Sequence, residues 1–151
     1  AKGAALLAPF KADLKSALVQ GMESGPVEAI SACSDEAPRI VAGLSVDGVA
    51  MGRSGHKLRN QANAAQDWLS PVLRSFADGS SELAPIAMSL DDGRMAYVEP
   101  IILQPMCLTC HGEALQADVA AAISERYPDD RATGFKAGDF RGVFWVTFPE
   151  R

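Results

Sequence analysis

Apolar residues recur at helical spacing near the start of the chain. Phe10, Leu14 and Leu18 fall at i, i+4 and i+8 and predict an amphipathic helix that stops at Gly21. A second helix is expected from Ser24-Gly25-Pro26, with Ser24 or Gly25 as its cap and Pro26 in the first turn, where a missing N–H costs little. Its apolar face, Val27, Ile30, Cys33 and Ala37, ends before Pro38 and turns Cys33 inward. Further on, Val46-Asp47-Gly48-Val49 predicts a hairpin-type turn between short apolar flanks. Gly52 to Asn60 reads as a polar, glycine-punctuated loop, and Trp68, Val72 and Phe76 share a helical face whose first turn Ser70-Pro71 disturbs. Leu83 to Leu90 and Met95 to Leu103 flank Asp91-Asp92-Gly93 and predict a β-hairpin, with Pro100 at an edge or a bulge. Leu115, Val119 and Ile123 mark one more helix, ended by Pro128, and Phe140 to Phe148 reads as a closing strand. With no internal repeat, low-complexity tract or linker, the expectation is a single α+β domain over residues 1–151 with a helical N-terminal segment.

Composition narrows the class. A chain of 151 residues with 48% hydrophobic and 22% charged content can bury a core as an ordinary globular protein does. The net charge of −5 argues against nucleic-acid and anionic-membrane partners, both of which select basic surfaces. No apolar run reaches the eighteen or so residues of a membrane span. The small residues at the start, Ala1-Lys2-Gly3-Ala4-Ala5, read as a mature end left by signal-peptide removal, so a periplasmic or secreted location is expected.

The chemistry is concentrated in Cys107-Leu108-Thr109-Cys110-His111. This C-x-x-C-H is the attachment signature of a c-type haem: two thiols add across the porphyrin vinyl groups and the adjacent histidine reaches the iron. With three cysteines and two histidines in the chain, chance supplies such a run only roughly 0.001 times. One covalent haem c, with Cys107 and Cys110 as tethers and His111 as axial ligand, is therefore the leading reading. Two rivals explain less. A Cys3His zinc site would combine Cys107, Cys110, Cys33 and His56, but Cys33 and His56 are single and far apart where structural zinc sites show paired knuckles. A redox dithiol lacks a preceding buried parallel strand and leaves His111 without a role.

Cys33 has no disulfide partner once the other two thiols are thioethers. The residues alone leave two roles open for it, a small buried hydrophobe or the sixth iron ligand. Met22, Met51, Met88, Met95, Met106 and His56 are the other donors to consider; the methionines fit packing better, and His56 lies in the polar loop.

The chain resembles the PAS-like c-type haem sensor domain family over nearly its whole length. The matching residues are Ala29-Ile30 with Cys33 and Ala37-Pro38, Gly52-Arg53-Ser54, Lys57-Leu58-Arg59-Asn60 with Asn63 and Trp68, Pro100-Ile101, and Cys107 to Gly112. They continue through Tyr127-Pro128-Asp129, Ala132-Thr133-Gly134-Phe135 and Gly138-Asp139-Phe140-Arg141-Gly142. The resemblance implies a central antiparallel sheet flanked by helices, haem against the sheet, and Cys33 as axial ligand together with His111. Gln61 in place of a usual proline, and Gly55-His56 in place of a less polar pair, are local departures.

A thiolate donor stabilises ferric iron, and axial identity tunes haem potentials over about 0.8 V. A His/Cys site is thus expected at low potential, with an iron–sulfur bond that weakens on reduction and opens to CO, NO or a similar ligand. Arg53 and Arg59 are candidates to pair with the propionates. The resulting expectation is an exported sensor of redox state or of a small diatomic ligand that acts through a partner protein. A periplasmic electron-transfer cytochrome c is the alternative, although a carrier gains from ligation that does not change with oxidation state. A haem enzyme such as a peroxidase is a third and weaker reading, since no distal acid–base pair is evident and His56 alone is thin support for one.

Overall fold

The structure, a computed structural model, describes residues 2–59, 61–104 and 108–150. The first apolar stripe forms helix α1, Lys2–Ser24, and buries Leu7, Phe10 and Leu14. It runs past Gly21, where the sequence predicted a stop. A Cβ on Gly21 would sit 2.7 Å from the Ala29 Cα, so this glycine permits the close crossing of helix α2, Pro26–Ser31, and does not end α1. The break comes at Gly25, whose φ of 133° no other residue type adopts readily.

The second predicted helix is split and extended. After α2 the backbone makes a π-helical turn over Ala32–Glu36 and continues as α3, Ala37–Leu44. Pro38 therefore does not end the helix: it falls in the first turn of α3, where its N–H would have no partner in any case, and the wide π turn separates it from α2. The turn at 46–49 does form, with positive φ at Asp47 and Gly48, but it joins α3 to a strand and not two strands to each other.

That strand, β1, Ala50–Ser54, corrects the expectation of a loop starting at Gly52. Arg53 and Ser54 pair with Phe144 and Val143; an edge strand tolerates polar side chains that a central strand does not. A 3₁₀ turn, Gln61–Asn63, leads to α4, Ser70–Ala77, which has Pro71 in its first turn. The predicted hairpin is present as β2, Ile86–Ser89, and β3, Arg94–Ile102. Pro100 lies beyond the end of β2, where β3 has a partner on one side only, and the register slips just after it at Ile101/Ile102. The single helical turn α5, Leu108–His111, helix α6, Ala117–Arg126, and strand β4, Phe140–Pro149, complete the chain.

The sheet is antiparallel in the order β1-β4-β3-β2, so the last strand lies inside it. On one face α1 and α3 bury Leu7, Phe10, Leu14 and Ala37 against Met51, Val146 and Phe148. On the other, Leu69, Val72, Leu73 and Phe76 pack on Val98 and Val143. A separate cluster joins Ile30 of α2 to Val119 and Ile123 of α6, with Cys110 packed against it. This is the expected α+β architecture, a PAS-like antiparallel sheet between helices. No helix among the described residues is long and apolar enough to cross a membrane.

Candidate functional site

Two segments meet around the C-x-x-C-H. The helical turn α5 carries Cys110 and His111 and is closed by Gly112, whose N–H donates to the Leu108 carbonyl at 2.9 Å. Residues 132–135 lie alongside it. The Phe135 N–H donates to His111 O and the Gly134 N–H to Gly112 O, both at 2.9 Å, forming a short parallel bridge.

This pairing sets the histidine. His111 Nδ1 lies 2.7 Å from the Ala132 carbonyl oxygen. A carbonyl can only accept, so Nδ1 carries the proton and Nε2 keeps its lone pair, the tautomer that binds a metal through Nε2. Burial, together with the positive charges of Arg141 and Arg59, pushes the His111 pKa down to about 3, against the opposing pull of the Ala132 hydrogen bond and Asp130. The ring is therefore a neutral imidazole across the ordinary pH range.

Arg59 locks the two segments together. Its Nε donates to Asp130 Oδ1 at 3.0 Å, and Nη2 donates to the carbonyls of Cys110 at 2.5 Å and Ala132 at 3.0 Å. The Arg59 and Asp130 side chains are only 10% and 12% exposed. Expected as a propionate partner, Arg59 is found joining the motif turn to the loop that holds His111. Arg53 is half-buried on β1 and lines a cavity of about 420 Å³ with Ala37, Pro38, Val41, Met51 and Trp145.

Phe135 occupies the middle of the site. The His111 ring meets it edge-on at 6.2 Å and the His56 ring at 6.0 Å, while the Lys57 ammonium lies 4.4 Å and the Arg141 guanidinium 5.6 Å from its centroid. Lys57 also donates to the Thr133 carbonyl, and Arg141 Nη1 to the Lys57 carbonyl at 3.2 Å. His56 is exposed, as its polar loop implied, but its ring stacks on Phe140 at 5.4 Å. Burial of part of that ring, then the Arg141 and Lys57 charges, lower its pKa.

Cys107 and the side chain of Cys33 lie outside the described residues. The backbone of Cys33 lies within the π-helical turn, and that turn is tied to α6. Arg126 Nη1 donates to Ser34 Oγ at 2.9 Å and lies 3.6 Å from Asp35 Oδ2. The segment bearing Cys33 is thus fastened to the helix that follows the motif, and α2 before it packs on the cluster that includes Cys110.

Lys57, Ala132, Phe135 and Arg141 stand in the segments that carry the family resemblance but had no site role assigned to them, and Asp130 stands outside those segments. Ala132 and Phe135 act through backbone atoms and a ring face, for which composition carries no signal. Asp130 stands 71 positions from its partner Arg59.

A family model described as Tll0287-like matches residues 14–149. Among solved structures the chain is similar to the crystal structure of the cyanobacterial heme-protein Tll0287, with 29% sequence identity, a TM-score of 0.66, and coverage of 80% of this chain and 73% of that one. The curated proteins offer no match.

Proposed function

Because the chain belongs to the Tll0287-like family, we propose that it binds haem, attached as haem c through Cys107 and Cys110, with His111 and Cys33 as axial ligands. The relative of known structure is a heme-protein, and the donor set here fits that group. The observation that carries the reading is the 2.7 Å hydrogen bond from His111 Nδ1 to the Ala132 carbonyl. It leaves a neutral imidazole with a free Nε2 lone pair next in sequence to Cys110, the state an iron ligand requires.

Bound there, haem supplies a one-electron couple and an iron position that can take small neutral ligands. The chain's own residues set the conditions. Arg59 and Asp130 hold the motif turn against the 130–132 segment, so the imidazole keeps its orientation. Phe135 covers the ring edge of His111. Arg141 and Lys57 place positive charge over the Phe135 ring, and Arg53, on β1, and Arg59 are the candidates for a propionate. As the second ligand, a Cys33 thiolate would favour ferric iron and bind ferrous iron less strongly.

The function this supports best is an exported sensor of redox state or of a diatomic ligand such as CO or NO, reporting to a partner protein. The first test is attachment. Expressed with a haem-ligation system outside the cytoplasm, the chain is expected to keep haem through denaturing electrophoresis, and a Cys107→Ser/Cys110→Ser variant to lose it. Haem extracted from the unmutated chain by acid and acetone would overturn the reading.

A further inference from the structure

Another cavity lies beside the one lined by Arg53. It has a volume of about 730 Å³ and opens between the 66–68 segment before α4, the β2–β3 hairpin and the β1–β4 end of the sheet. Its described lining residues include none of Arg59, Cys110 or His111. The volume is that of a small-molecule site.

Its walls have a definite chemistry. Trp68 and Trp145 meet edge to face at 6.1 Å with an 82° interplanar angle, giving two half-buried indoles at right angles on one opening. Three carboxylates, Asp67, Asp91 and Asp92, and one cation, Arg94, also line it. Arg94 is already engaged: Nε and Nη2 donate to Asp92 Oδ2 at 2.8 and 2.7 Å, and Nη1 donates to Thr147 Oγ1 at 3.2 Å. With that pair neutralised internally, Asp67 and Asp91 leave the opening with two net negative charges.

Indole faces attract cations through the ring quadrupole, and nearby carboxylates add to the attraction while repelling anions. We propose that this cavity binds a small organic cation bearing an ammonium group, seated in the corner that the Trp68 and Trp145 rings form, with Asp67 and Asp91 around its charge. An anionic ligand finds no uncommitted cation among the described lining residues. A neutral apolar ligand would leave the carboxylates without a use. Trp145 and Gln66 also line the cavity that contains Arg53, so a ligand here would press on a wall shared with that second space.

The chain has two tryptophans, and both line the cavity, so two indole N–H signals report on it in the nitrogen-15 NMR spectrum of the haem-loaded protein. Benzyltrimethylammonium chloride is expected to shift both signals saturably, whereas sodium benzoate at equal ionic strength leaves them in place. Asp67→Asn/Asp91→Asn, at two exposed positions outside the core, is expected to weaken binding about fivefold with an unchanged haem spectrum. The proposal is overturned if benzyltrimethylammonium moves neither indole, if benzoate moves them equally, or if the double variant binds as tightly as the parent.

Discussion

Arg59 Nε donates to Asp130 Oδ1 at 3.0 Å across 71 positions of chain, and both side chains are largely buried. The same guanidinium holds the carbonyls of Cys110 and Ala132. One side chain therefore fixes both the motif turn and the carbonyl that orients His111.

Asp130→Asn leaves the Arg59 charge buried without its counter-ion, and is expected to destabilise the haem-loaded protein by about 3 kcal/mol. Urea unfolding followed by the Soret band measures it. Were Arg59 chiefly a propionate partner, Asp130→Asn would leave the midpoint nearly unchanged.

The link between the π-helical turn and α6 is exposed, with Arg126 and Asp35 side chains 45% and 55% accessible. Arg126→Ala is accordingly expected to lower stability by no more than about 1 kcal/mol. Its kinetic effect is expected to be larger, because the turn bearing Cys33 loses a restraint. Stopped-flow mixing of the ferrous protein with CO is expected to show severalfold faster binding in the variant. Equal rates would mean that this link does not govern access to the iron.

The pattern of apolar positions was enough for α1, the hairpin, α6 and the closing strand, because each buries a periodic face that sequence spacing exposes directly. The failures have local physical causes. Gly21 resembled a helix stop but serves a helix crossing with Ala29. Pro38 resembled a terminator but opens α3 after a π turn, and no periodicity predicts an inserted residue. Arg53 and Ser54 looked like loop residues because an edge strand keeps polar positions. At the site, C-x-x-C-H was legible because its chemistry depends on fixed local spacing. The Ala132 carbonyl, Asp130 and Phe135 were not, because they reach His111 through contacts that only the fold creates.

Helix α1 is pinned to the sheet by a polar chain that titrates at alkaline pH. Tyr97 Oη donates to Glu99 Oε1 at 2.9 Å, and Glu99 Oε2 accepts from Lys11 Nζ at 2.6 Å. Burial, then the hydrogen bond and the charge of Glu99, push the Tyr97 pKa up to about 12 from 10.0. The folded state thus holds a proton that the unfolded chain releases between those values. The stabilisation is complete below pH 10 and lost as pH rises toward 12. Tyr97→Phe is expected to remove that part of the alkaline decline in stability, and to remove a tyrosinate absorbance step near pH 12. A step that persists in the variant would assign it elsewhere.

The central claim is an iron held firmly by His111 and reversibly by Cys33. The most direct measurement is the optical and electron paramagnetic resonance spectrum of the ferric and ferrous protein, with and without CO, beside Cys33→Ser. A low-spin thiolate signature in the ferric protein, lost in Cys33→Ser, together with rapid CO binding to the ferrous parent, is the predicted result. A ferric spectrum unchanged by Cys33→Ser, with a ferrous form closed to CO, would contradict it.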